Sequence, residues 1–241
     1  MISLTGLFDT YGRNAWLRPA LIISLPLTSL AIVVITSTPP WWASVSSLLS
    51  ASGIVYFAAD IVQSRGKSKE KELWDVQGGA PTTRLLRYRG GSNAALVNRY
   101  HILLRRAIPD LVIPTRAEEL ANPIRADQHY ITVTKALIAR TRDRKKYPLV
   151  FMQNYRYGFR RNMYGSRTLG ILASVLSIIV ACACAGLNIW LGFHISWLGI
   201  GFVLTLDVVL LFSFVFIVNK TWVRQVDEAY ADRLLETLEE M

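Results

Sequence analysis

Four stretches of this chain hold residues whose type and spacing suit chemistry. Arg140-Thr141-Arg142-Asp143-Arg144-Lys145-Lys146 places five basic side chains in seven positions. Such a run suits a polyanion, and it is equally the composition of a solvated face. Asn154–Arg167 interleaves Arg156, Arg160, Arg161 and Arg167 with Tyr155, Tyr157, Phe159 and Tyr164. Arginine among aromatic rings fits phosphates and stacked bases, and it also fits a collar on lipid headgroups. Gly78-Gly79-Ala80-Pro81-Thr82-Thr83-Arg84 reads as a turn and a helix start. Its amides and Arg84 are able to hold a phosphate, but its spacing matches neither a P-loop nor a dinucleotide fingerprint. The fourth stretch is Val203-Leu204-Thr205-Leu206-Asp207-Val208-Val209-Leu210, one carboxylate in an apolar run.

Asp207 is the most costly of these residues to place. No Lys or Arg lies at its depth, and a carboxylate at mid-span costs roughly 2.5–3.5 kcal/mol on insertion scales. Two readings account for it. In an assembly of several chains it lines a cation-favouring pore. Alternatively it is a protonated acid sharing a hydrogen bond with Thr205 or another helix.

The elements that position these residues follow from where the charge lies. Of 27 Lys and Arg, 22 fall in residues 64–167, against 8 of the 17 Asp and Glu, so this stretch carries +14 of a net +10. On either side lie apolar runs long enough to cross a bilayer. The sequence predicts an all-α membrane protein with four transmembrane helices in two hairpins and a mostly helical basic domain inserted between them. The expected divisions are an interfacial N-terminal segment (1–19), hairpin 1 (20–63), the basic domain (64–167), hairpin 2 (168–218) and a C-terminal helix (219–241). The spans are expected at 20–37, 43–62, 169–189 and 194–218. Trp41, Trp42, Trp190 and Trp197 stand at the outer turns. Those turns contain no Lys or Arg, so both termini and the basic domain are expected on the cytoplasmic side of the membrane.

Within the basic domain, Thr82 or Thr83 is expected to cap a helix carrying Arg84 to Arg89, stopped by Gly90-Gly91. Asn93 caps a second helix that ends before Pro109. Thr115 and Glu118 form a capping box, and a helix covers Ala126–Arg142. A long helix is expected to run from Leu149 into the third span. The tail helix presents Val226, Leu234, Leu235 and Leu238 to this domain or to a neighbouring subunit. His101, His129 and His194 are scattered, and Cys182 and Cys184 lie in an apolar run. No nucleophile elbow or metal-ligand spacing appears, so no catalytic residue, metal or cofactor is expected, and the chain is not read as an enzyme.

Two motifs, Trp74-Asp75-Val76-Gln77-Gly78-Gly79-Ala80-Pro81-Thr82-Thr83-Arg84-Leu85-Leu86-Arg87 and Asn154–Asn162 with Gly165 and Arg167, resemble a family of small four-span bacterial proteins with a cytoplasmic insert. The layout resembles membrane effectors of anti-phage defence, in particular the channel protein of the Hailong system. That resemblance implies a homo-oligomer, a tetramer, that conducts ions and answers a nucleotide or DNA oligomer made by a nucleotidyltransferase of the same system. Opening would depolarise the cell and arrest growth. The expected ligand-binding residues are Arg84, Arg87, Arg140, Arg142, Arg144, Lys145, Lys146, Arg156, Arg160 and Arg161, with Asp207 at the pore and membrane lipid as a further partner. The competing expectation is a membrane-anchored scaffold that tethers a nucleic-acid-acting partner, which needs no polar pore face.

Overall fold

The computed structural model describes residues 9–37, 54–90 and 93–241, and every element among them is helical. The helices are α1 (Thr10–Thr36), α2 (Ile54–Val76), α3 (Pro81–Leu86), α4 (Ala94–Ala107), α5 (Arg116–Ala121), α6 (Pro123–Arg140), α7 (Pro148–Gly165), α8 (Arg167–Leu191), α9 (Trp197–Ile217) and α10 (Lys220–Glu236). Three of them, α1, α8 and α9, are long and apolar enough to cross a membrane. The expected outer turn with Trp41 and Trp42, the start of the expected second span, residues 1–8 and Gly91 lie outside the described residues.

The chain divides into two compact units. One comprises residues 1–69 and 158–223, the other residues 70–157 and 224–241.

In the first unit α1, α8 and α9 pack as a bundle whose register can be read residue by residue. Gly170 meets the Phe214 ring, Ser177 lies beside Asp207, Ala181 packs with Val203, and Cys184 with Ile200. Helices α8 and α9 are therefore antiparallel. Pro26 lies at the level of Ser177 and Leu30 at that of Ala181, so α1 runs parallel to α8. The buried face of α8 is Gly170, Ser174, Ser177, Ala181 and Cys184, small residues three and four apart. Small side chains let helices approach closely where lipid offers no hydrophobic drive. Leu172, Leu176 and Ile179 are exposed on its other faces. The turn between α8 and α9 uses Gly192 at φ +66°, a left-handed conformation that glycine adopts without a Cβ clash. Asn188 clamps this turn through both backbone groups of Ile195, at 2.7 and 3.1 Å. Ser196 then caps α9 by accepting from the Gly199 amide.

Several boundaries differ from expectation. Residues 10–19, expected at the interface, are continuous with the first span. The helix expected to run from Leu149 into the third span is broken at Ser166 (φ −104°, ψ 9°). The break follows Gly165, where a Cβ would stand 2.6 Å from the Arg65 carbonyl oxygen and from the Gly66 Cα. The glycine is there for close approach to α2.

In the second unit the core is formed by Leu86, Tyr100, Leu104, Ile108, Tyr130, Val133, Leu137, Tyr147 and Val150, together with Leu234, Leu235 and Leu238 of the tail. Each fully buried leucine contributes about 1.5–3 kcal/mol. The tail therefore packs on the basic domain of its own chain. Asn93 caps α4, and Thr115 with Glu118 forms the capping box of α5. Asn122 caps α6, with Pro123 at its first position, so α6 starts three residues earlier than expected. Helix α3 is capped at Ala80, not by Thr82 or Thr83. Pro81 takes its first position, where a missing N–H costs nothing. It stops at Leu86, and Arg87 is extended. The amides of Tyr88 and Arg89 donate to the Glu119 carboxylate instead of continuing the helix.

Candidate functional site

The basic side chains of the second unit fall into two classes by what they already hold. The first class is committed to internal carboxylates. Arg87 makes a two-point bond to Asp127 (2.8 and 2.9 Å) and donates to the Gly78 carbonyl at 2.5 Å. Gly79 makes this possible, because a Cβ there would stand 2.9 Å from the Arg87 guanidinium. Arg89 bridges Asp127 and Glu119. Arg84 pairs with Glu228 at 3.1 Å on the rim of a cleft of about 430 Å³ that Gln77, Asp232 and Arg87 also line. Arg99 pairs with Glu239.

Glu119 is the centre of this network. It is fully buried and accepts from Tyr130 Oη (2.7 Å), from the amides of Tyr88 and Arg89, and from the Arg89 guanidinium. Burial pushes its carboxyl up, but these bonds outweigh burial and hold it below the usual carboxylate range. Asp127 is likewise held down by Arg87 and Arg89 against burial. His101 is pushed down by burial and bonds the Leu86 carbonyl through Nε2 at 2.8 Å. Sequence reasoning did not single out Arg89, Glu119 or Asp127, because their spacing of 30 and 38 residues carries no local signal.

The second class is exposed. Arg140 donates to the Ala107 carbonyl, the last residue of α4, and so joins the C-terminal ends of α4 and α6. This brings Arg105 and Arg106, on the last turn of α4, to the same corner as the 140–146 run. The loop is folded by Asp143, whose carboxylate accepts the amides of Lys145 (2.8 Å) and Lys146 (3.3 Å). The Arg144 guanidinium lies over Phe151 at 4.6 Å and the Lys146 ammonium over Tyr147 at 5.1 Å. Arg105, Arg106, Arg142 and Lys145 are exposed and have no carboxylate partner among the described residues. Arg105 and Arg106 are additions to the expected set, and their signal was a helix C-terminus just before Pro109.

The remaining expected residues are dispersed. Arg156 is exposed on α7. Arg160 and Arg161 belong to the first unit. Arg160 stacks on Trp222 at 4.7 Å and donates to its carbonyl at 2.7 Å. Arg161 is buried against Asn162, whose amide donates to the Ala15 carbonyl at 2.6 Å.

Asp207 is wholly enclosed among the helices of its own chain, and neither carboxyl oxygen has a hydrogen-bond partner among the described residues. Thr205 donates to the Gly201 carbonyl at 2.8 Å and does not serve it. No group of three or more His, Cys, Asp or Glu among the described residues is arranged to hold a metal ion.

No protein-family model, curated protein or solved structure matches the chain.

Proposed function

We propose that this chain is a membrane ion channel, acting as a homo-oligomer, whose opening is controlled by a nucleotide or DNA oligonucleotide bound at the basic corner of the second unit. One observation carries this reading. The domain neutralises Arg84, Arg87, Arg89 and Arg99 with its own carboxylates, yet leaves the side chains of Arg105, Arg106, Arg142 and Lys145 exposed and without a carboxylate partner among the described residues, where two helix ends meet. Cationic side chains gathered at one corner repel one another, and a polyphosphate relieves that repulsion. On this reading the corner faces the cytoplasm, four copies assemble, and a nucleotidyltransferase of an anti-phage system supplies the signal, as the resemblance implies. Opening depolarises the inner membrane and halts growth. Asp207 is the pore residue. Because it is enclosed within the bundle of one chain, it meets a conduction path only after α1, α8 and α9 rearrange, so the described bundle corresponds to a closed state.

The same enclosure favours a second reading, a membrane-anchored scaffold that tethers a nucleic-acid-acting partner and conducts nothing. The deciding experiment is binding of a fluorescent DNA oligonucleotide to the purified full chain across a salt series. Binding that weakens steeply with salt, and that is lost in the triple variant Arg105→Ala, Arg106→Ala, Arg142→Ala, supports a polyanion site. Equal binding by the triple variant removes the corner from the proposal. Binding of anionic lipid vesicles but of no nucleotide makes lipid the partner of the corner.

A further inference from the structure

At mid-bundle three helices bring together an excess of hydrogen-bond acceptors. Asp207 of α9 contributes two unpartnered carboxyl oxygens. Beside it is Ser177 of α8, whose hydroxyl donates away from it, to the Pro26 carbonyl of α1 at 3.1 Å. That carbonyl also accepts from Ser29 at 2.9 Å. The Ser174 hydroxyl, one turn from Ser177, is fully buried and has no partner among the described residues. No Lys, Arg or His lies among the buried residues of α1, α8 or α9. An ionised carboxylate enclosed here would hold its charge against one hydroxyl that already has another acceptor. A buried acceptor left without a donor is destabilising, and more so when charged.

One added proton gives Asp207, Ser177 and the Pro26 carbonyl compatible roles. We propose that Asp207 is a proton-binding site in which the neutral acid donates its O–H to Ser177 Oγ while Ser177 donates to the Pro26 carbonyl, a relay that ties α9, α8 and α1 together at one level. Each group then plays one compatible role: the acid donates, the serine accepts and donates, and the carbonyl accepts. Loss of the proton to water leaves a carboxylate that competes with the Pro26 carbonyl for the Ser177 proton, and the contact between α8 and α1 is then weakened. The bundle thus takes up one proton per chain when it packs and gives it up when it opens. The inference depends only on the packing of these three helices and stands whether or not the chain conducts.

The test is infrared difference spectroscopy of the full chain in lipid at neutral pH, comparing wild type with Asp207→Asn and Ser177→Ala. The relay predicts a carboxylic-acid carbonyl band, exchangeable in heavy water, that Asp207→Asn removes. Ser177→Ala should shift that band to higher frequency, as loss of a hydrogen bond to the acid O–H requires. Asp207→Asn keeps an N–H donor for Ser177, so it should leave the protein folded and provides the control for assembly. A wild-type spectrum with no acid band that Asp207→Asn removes would overturn the proposal. So would an acid band that Ser177→Ala leaves in place. A carboxylate band that moves when sodium is replaced by choline would assign the site to an alkali cation and also overturn it.

Discussion

Trp74 donates its indole N–H to the Asp227 carboxylate at 2.9 Å, and this bond joins α2 to α10 inside the second unit. Asp227 is only 5% exposed. Burial pushes its carboxyl up to about 7, against the Trp74 bond and the Arg84 charge that lower it; the nearby Glu70 and Glu228 push the same way as burial. The folded value thus lies above the unfolded value of about 3.9. The unfolded chain releases this proton first, so stability falls as pH rises from about 4 through about 7. Denaturant unfolding at pH 5 and pH 8 should show the loss, and Asp227→Asn should flatten it. Glu119 and Asp127, held below the usual range, act in the opposite sense, and their contribution is lost only as pH falls through their folded values. A wild-type stability that is flat between pH 5 and pH 8 would contradict the assignment.

Glu119→Ala should be the most damaging single change in the second unit. It removes the acceptor of the Tyr130 hydroxyl, of two amides and of one Arg89 guanidinium N–H at once, leaving Arg89 its bonds to Asp127. Breaking a buried hydrogen-bonded charge pair from one side costs about 3–5 kcal/mol. Glu119→Gln keeps one carbonyl acceptor and should lose less. Thermal unfolding of both variants in detergent orders them, and equal loss would show that the charge, which both variants remove, matters at this position and the retained shape does not.

Gly165→Ala tests the close approach of α7 to α2. The added methyl meets backbone atoms of Arg65 and Gly66 at 2.6 Å, so no side-chain rotation relieves it. Overpacking of this kind costs about 1–3 kcal/mol. A substitution that leaves the melting temperature unchanged would mean that the two helices separate freely at this point.

How much of this could be read from sequence depended on the distance over which each interaction acts. The caps at Asn93 and at Thr115 with Glu118 were legible, because each is completed within two or three residues. The long apolar helices α8 and α9 were legible from length and hydropathy alone. The basic run at 140–146 was visible as charge, but its extension to Arg105 and Arg106 depends on one contact across 33 residues, from Arg140 to Ala107. Arg84 and Arg87 looked like donors for a phosphate beside a glycine turn. In the fold, Arg87 lies in a two-point bond to Asp127, and Gly79 leaves room for its guanidinium. Asp207 stood out by type, whereas its surroundings required the register of α8 against α9.

At the proposed ligand corner, Arg142→Ala should differ from Arg140→Ala. Arg142 makes no internal bond among the described residues, so its loss should weaken oligonucleotide binding without lowering stability. Each phosphate contact removed should reduce the slope of log affinity against log salt by about 0.7–0.9. Arg140→Ala also removes the bond to the Ala107 carbonyl, so it should lower stability by about 0.5–1.5 kcal/mol as well. Salt-series binding and unfolding of the two variants separate these effects.

The central claim, a conducting pore under the control of a nucleic-acid ligand, is tested most directly by single-channel recording of the purified full chain in planar bilayers, with and without a DNA oligonucleotide. The account predicts a conductance that the oligonucleotide changes, a loss of that response in the Arg105→Ala, Arg106→Ala, Arg142→Ala variant, and an altered conductance or cation preference in Asp207→Asn. Wild-type protein that passes no current under any nucleotide or oligonucleotide would contradict it and leave the scaffold reading standing.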